Sequence, residues 1–223
     1  MEKAIAFLLL IVCLQTKAQS WVTIPDANFV SALQDIIPEA LIGNQLDTAS
    51  PIVAATYTLE LDGHGISNLY GLQFFTSLTL LQCANNSLST LPQLPETLIE
   101  LYCNSNQLTS LPALPKSLLV LDCSSNQLSS LPTLPPTLKH LTCFRNKLTS
   151  LPELPRQLAE FICYGNKIIC LPILPNSITT MDISGNPFTC LPNYIKLMEN
   201  DTAKAPLCEL GNKNGCITES KRK

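Results

Sequence analysis

Leu98-Ile99-Glu100-Leu101-Tyr102-Cys103-Asn104-Ser105-Asn106-Gln107-Leu108-Thr109-Ser110-Leu111-Pro112-Ala113-Leu114-Pro115-Lys116-Ser117 is the stretch that decides the fold. Leu101 and Cys103 alternate with Glu100, Tyr102 and Asn104. That is the period of a strand with one buried face. Asn106 is predicted to end the strand in a turn, because its side chain both donates and accepts. Pro112 and Pro115 lack amide donors and fix φ, so the rest of the stretch is predicted to return as extended, polyproline-like chain.

The pattern recurs every 20 residues without slippage, with units beginning at Leu78, Leu98, Leu118, Leu138, Leu158 and Ile178. A longer, divergent unit spans 56–77, with Leu59, Leu61, Ile66, Leu69 and Leu72, and with His64 where the others have Asn. A strand that returns at such a fixed interval must pair in parallel with its copy. Asn86, Asn106, Asn126, Asn146, Asn166 and Asn186 then stack, and are expected to form a ladder that satisfies buried turn backbone. A single unit buries too little apolar surface to offset the entropy of ordering it, so stacking must supply the balance.

The pattern LxxLxCxxNxL, completed by LPxLP, resembles the leucine-rich repeat, most closely its short bacterial type. The resemblance covers about two thirds of the chain. It implies an α/β-type repeat solenoid dominated by strands: a right-handed horseshoe with a parallel concave β-sheet, an extended convex side and an N-terminal capping helix. The sixth position, usually Leu or Val in related repeats, is Cys here. Ile24-Pro25-Asp26-Ala27-Asn28-Phe29 also resembles the lead-in of secreted bacterial proteins of this kind. Some effectors with similar repeats are ubiquitin ligases, but they carry a large catalytic domain after the repeats. Only a short segment follows the last unit here, so that activity is not expected.

Four segments are predicted. Residues 1–18 read as a signal peptide: Lys3 precedes an apolar run, Ala4 to Leu14, too short to span a bilayer, and Thr16 and Ala18 suit cleavage after Ala18. An uncleaved anchor and a lipid on Cys13 are the alternatives. Residues 19–55 form an N-terminal cap, with a helix started by Asp26 whose Phe29, Val30, Leu33 and Ile37 line one face. Residues 56–197 hold the repeats, and 198–223 a C-terminal cap and disordered tail. The mature chain is expected to be a monomer without stable membrane insertion, and secreted, periplasmic or at the cell surface. The formal net charge of −3 gives no reason to expect nucleic acid. Charged residues at 14% exclude a disordered chain.

The chain has 10 cysteines. Cys83, Cys103, Cys123, Cys143 and Cys163 share one inward strand position and read as buried free thiols, since Cys serves as a small apolar filler. Thiolates within a leucine core are costly, which disfavours a metal or redox role. Cys170, Cys190, Cys208 and Cys216 fit disulfides of an exported protein. Three pairings are open. Cys170 with Cys190 and Cys208 with Cys216 are favoured, from equivalent positions and closeness in sequence.

Solenoids bind through their concave face. Alternation places Glu100, Tyr102, Val120, Asp122, His140, Phe144, Glu160, Ile162 and Tyr164 there, with Arg145 at its edge. Tyr102, Val120, Phe144, Ile162 and Tyr164 are expected to be exposed, and Phe144 and Tyr164 to stack side by side. Such clusters anchor interfaces, or they stabilise the sheet by cross-strand packing. His140 beside Glu160 could do acid–base work, but no recognised motif supplies a poised nucleophile. The expectation is a non-catalytic module, without cofactor or metal, that recognises a protein or glycan in adhesion or host contact. The alternatives are a structural surface or periplasmic repeat protein with no discrete ligand, or an accessory to an effector-type enzyme.

Overall fold

The computed structural model describes residues 20–198 and 206–208. Seven strands follow one another along the repeats: Thr58–Glu60, Leu80–Gln82, Glu100–Tyr102, Val120–Asp122, His140–Thr142, Glu160–Ile162 and Thr180–Asp182, here β4 to β10. They form one seven-stranded sheet in strict sequence order. Every pairing is parallel, in a register of 22 residues for Leu59 against Leu81 and of 20 thereafter, as for Leu101 against Leu121. The chain is thus a strand-dominated parallel solenoid, as the repeat implied. Between strands the Leu-Pro segments carry neither helix nor strand, and proline there can neither donate nor enter a helix interior.

Leucines at three kinds of position fill the interior. Leu98, Leu101 and Leu108 are fully buried, as are Leu118, Leu121 and Leu128 one unit on. The Asn ladder closes the strand-end turn. Asn146 Nδ2 donates to Cys123 O at 3.0 Å in the preceding unit and to Cys143 O at 3.2 Å in its own. Its Oδ1 accepts from Leu128 N–H at 2.9 Å. One side chain therefore ties two units together, and Asn106, Asn126, Asn166 and Asn186 repeat the arrangement. Asn86 does the same toward Leu61 O and Ile66 N–H of the divergent unit. His64, at the head of this series, is exposed and its Nδ1 lies 3.0 Å from Asp62 O.

A second ladder runs along the other side, and the sequence reading missed it. Thr97 Oγ1 donates to Thr76 O and Leu78 O, Ser117 to Glu96 O and Leu98 O, and Thr137 to Lys116 O and Leu118 O. Ser177 repeats this contact, while Gln157 reaches only Pro136 O. The signal was present: a hydroxyl recurs one residue before each unit's first Leu, interrupted only at Gln157.

Before the repeats lies a cap containing a small antiparallel sheet that periodicity did not reveal. Trp21–Thr23 (β1) pairs with Gln45–Asp47 (β3), which pairs with Leu41–Ile42 (β2). The expected helix is Ala27–Ile36 (α1), and a second, Pro51–Ala55 (α2), leads into the repeats. Asp26 caps α1: its Oδ1 accepts from Phe29 N–H at 2.9 Å. Its Oδ2 accepts from Ser67 N–H, Ser67 Oγ and Asn68 N–H at 2.7–3.0 Å, which pins the helix to the first unit. Burial pushes this carboxyl up, but those hydrogen bonds outweigh it and hold the group below its ordinary value. The cap also presses on Gly71, at φ +113°, where a side chain would run into Ile24 Cδ1.

At the far end the favoured disulfide pairing is corrected. Cys190 bonds Cys208, with their Cα atoms 4.9 Å apart. Neither Cys170–Cys190 nor Cys208–Cys216 can coexist with that bond. The reason lies in the backbone: Cys208 N–H donates to Leu191 O, and Leu191 N–H to Pro206 O, so 206–208 lies along the last return segment beside Cys190. Cys170 is disulfide-bonded as well. Cys216, the signal-like residues 1–18 and most of the C-terminal cap lie outside the described residues.

Candidate functional site

Short strands set the geometry of the concave face. Parallel pairing in register aligns the outward residues in rows that cross the solenoid. Leu80, Glu100, Val120, His140, Glu160 and Thr180 make the first row. Gln82, Tyr102, Asp122, Thr142, Ile162 and Asp182 make the second. Ala84, Asn104, Ser124, Phe144, Tyr164 and Ser184 follow two residues further along each strand's exit.

The structure brings the sequence-derived residues together in pairs. Phe144 and Tyr164 stack with ring centroids 4.5 Å apart and planes within 6° of parallel. Arg145 places its guanidinium carbon 5.9 Å from the Tyr164 ring centroid. His140 Nδ1 meets Glu160 Oε2 at 3.0 Å, both side chains remaining more than a third exposed. Tyr102 Oη donates to Glu100 Oε2 at 2.9 Å. Burial, that hydrogen bond and the charges of Glu100, Asp122 and Glu160 raise the Tyr102 phenol, which stays protonated as the donor. Asp122 Oδ1 accepts from Ser124 N–H and Ser124 Oγ, which folds it back onto its own strand end.

One expectation is corrected. Tyr102, Val120, Phe144, Ile162 and Tyr164 are half-buried, not exposed. Strands about 4.8 Å apart leave in-register side chains in contact, so each shields its neighbour.

Beneath this face lie Cys83, Cys103, Cys123, Cys143 and Cys163, all buried and free. Burial pushes their thiols up, Cys83 and Cys163 to about 12, so none holds a thiolate near neutral pH. Among the described residues no group of His, Cys, Asp or Glu converges as a metal site would require. No helix among them is long and apolar enough to cross a membrane.

A parallel sheet with one strand per 20-residue unit, an Asn at each turn and a leucine interior defines the leucine-rich-repeat class. Solved structures agree. The leucine-rich-repeat domain of a Shigella effector is 32% identical over 74% of this chain and 77% of its own, with a TM-score of 0.59. The chain belongs to the leucine-rich-repeat proteins, and its relatives of known structure include bacterial ones. YopM from Yersinia enterocolitica WA-314 is 37% identical over 63% of this chain, with a TM-score of 0.61. This chain spans 31% of that protein's length. The functional domain of InlJ from Listeria monocytogenes, described as including a cysteine ladder, shares the fold at 23% identity, over 80% of this chain and 50% of its own, with a TM-score of 0.55. No family model and no curated protein matches the chain.

Proposed function

We propose that this protein is an exported, non-catalytic binding module that recognises a protein partner through its concave sheet. The Phe144–Tyr164 stack carries the reading. Two rings held parallel in adjacent units form a preorganised anchor, so little ordering entropy is lost on contact. Glu100, Tyr102, Asp122, His140, Arg145 and Glu160 on the same face supply polar contacts that set orientation, and Val120 and Ile162 add apolar surface. Export is supported by the signal-like residues 1–18 and by the disulfide Cys190–Cys208, which suits an oxidising compartment. The Shigella relative is an effector domain, which favours contact with a host or surface protein.

The test is capture with the full chain against Phe144→Ala/Tyr164→Ala. Loss of a specific partner from the variant, with circular dichroism unchanged, supports the reading. Equal capture by both proteins, or capture confined to a glycan array, overturns it.

A further inference from the structure

Positive charge is unevenly placed along the solenoid. Two positions per unit flank the ladder Asn at the strand-end turn. Through the first units they read Asn85 and Ser87, Ser105 and Gln107, then Ser125 and Gln127, all neutral. They then become Arg145 and Lys147, followed by Gly165 and Lys167, and return to Gly185 and Pro187. Three exposed cations thus fall in two adjacent units, the same two that carry Phe144 and Tyr164.

The backbone positions that carry these cations are neighbours. Lys147 N–H donates to Leu128 O and Lys167 N–H to Leu148 O, so equivalent backbone positions stack one unit apart. Arg145 packs across Gly165, where a Cβ would lie 3.7 Å from Arg145 Cγ. Like charges at neighbouring stacked positions repel and destabilise a sheet edge. No carboxylate offsets this: among the described residues the one ion pair is His140–Glu160. Lys147 Nζ finds the neutral Gln127 Oε1 at 3.1 Å, and Arg145 finds the Tyr164 ring. The carboxylates of Glu100, Asp122, Glu160 and Asp182 stand instead in the first two rows of the concave face. The surface is polarised, acidic across the strands and basic at their exit, with the ring stack at the boundary.

We infer that the strand-exit edge of these two units docks an acidic segment of the partner protein, with carboxylates on Arg145, Lys147 and Lys167 and an apolar side chain against the Phe144–Tyr164 stack. The inference rests on the concave-face reading and adds the partner's chemistry. A peptide fits better than a polyanionic glycan for two reasons. A uniformly anionic polymer crossing the face meets Glu160 and Asp182, whereas a peptide can confine its acids to one edge. Each ring of the stack also covers one face of the other, which reduces the open ring face that sugar stacking uses. An acidic occupant relieves the repulsion that the fold tolerates without it.

The experiment pans a random peptide library displayed on phage against the full chain, then measures the selected peptides on Phe144→Ala and on the triple variant Arg145→Gln/Lys147→Gln/Lys167→Gln. Thermal melting checks the triple variant, whose midpoint is expected to stay or rise because like charges are removed. The expected result is binders enriched in Asp and Glu beside an apolar residue, about tenfold weaker on the triple variant and weakened by salt. Binders that need Phe144 but show no acidic enrichment overturn this inference and leave the proposed function standing. Binders indifferent to both variants, or no selection at all, overturn both. Selective retention of the wild-type chain on heparin, with no peptide selected, makes the occupant a polyanionic glycan and also overturns the inference.

Discussion

Leu81, Leu101, Leu121 and Leu141 stand on the inner side of four successive strands, each fully buried. Their outward neighbours one residue earlier read Leu80, Glu100, Val120 and His140, and no two agree. The same backbone carries both sets. Inside, each unit meets a unit of closely similar shape, so Leu recurs at this position until Phe161 and Met181 take it in the last two units. Outside, the side chain meets water and two neighbours, so its chemistry is free to vary. The interior therefore encodes the fold, and the concave face is where one solenoid of this type can differ from another.

Four substitutions in one unit test that division, in order of falling effect. Asn146→Leu orphans Leu128 N–H in a buried turn and takes one of two donors each from Cys123 O, which keeps Asn126, and Cys143 O, which keeps Asn166. With about 1–3 kcal/mol for the orphaned N–H and a smaller cost for each carbonyl that loses its second donor, a loss of about 3 kcal/mol is expected in urea unfolding. A loss below about 1 kcal/mol would mean that water replaces the ladder at no cost. Cys143→Ser puts a hydroxyl among leucines where the thiol is fully buried, and about 2 kcal/mol is expected by the same measurement. Phe144→Ala removes one ring of the half-buried stack, for about 1 kcal/mol of stability but most of the binding. If it costs more stability than Cys143→Ser, the stack is sheet packing and the proposed anchor fails. Thr142→Ala, on the second row between Asp122 and Ile162, is expected to shift stability by less than about 0.5 kcal/mol. A larger change would show that the concave rows are not independent of the fold.

Sequence made the interior legible because its constraints repeat. Four copies of Leu101 and six of Asn106 speak with one voice, and register, parallel pairing and the Asn ladder follow from the spacing alone. The cap sheet of β1, β2 and β3 was hidden because two- and three-residue strands are too short to show a period. The hydroxyl ladder was overlooked because Ser and Thr at a turn read as solvated residues until the carbonyls beneath them are seen. The disulfide pairing was misread for a related reason. Closeness in sequence says nothing of where residues 206–208 lie, and a backbone bridge to Leu191 brings Cys208 to Cys190. On the concave face alternation placed Glu100, Tyr102, Val120, Asp122, His140, Glu160 and Ile162 in their rows and foresaw the Phe144–Tyr164 stack. It overstated exposure because it treats each strand alone, whereas shielding comes from the neighbours.

Asn146 reaches back to a carbonyl of the preceding unit while holding its own. A rung clamped in this way carries its own adhesive to the rung before it. An in-frame duplication of any internal unit would then insert without a mismatched joint, since both seams present the groups they presented before. Length becomes a heritable variable separable from foldability, and the chain can gain or shed recognition surface one step at a time.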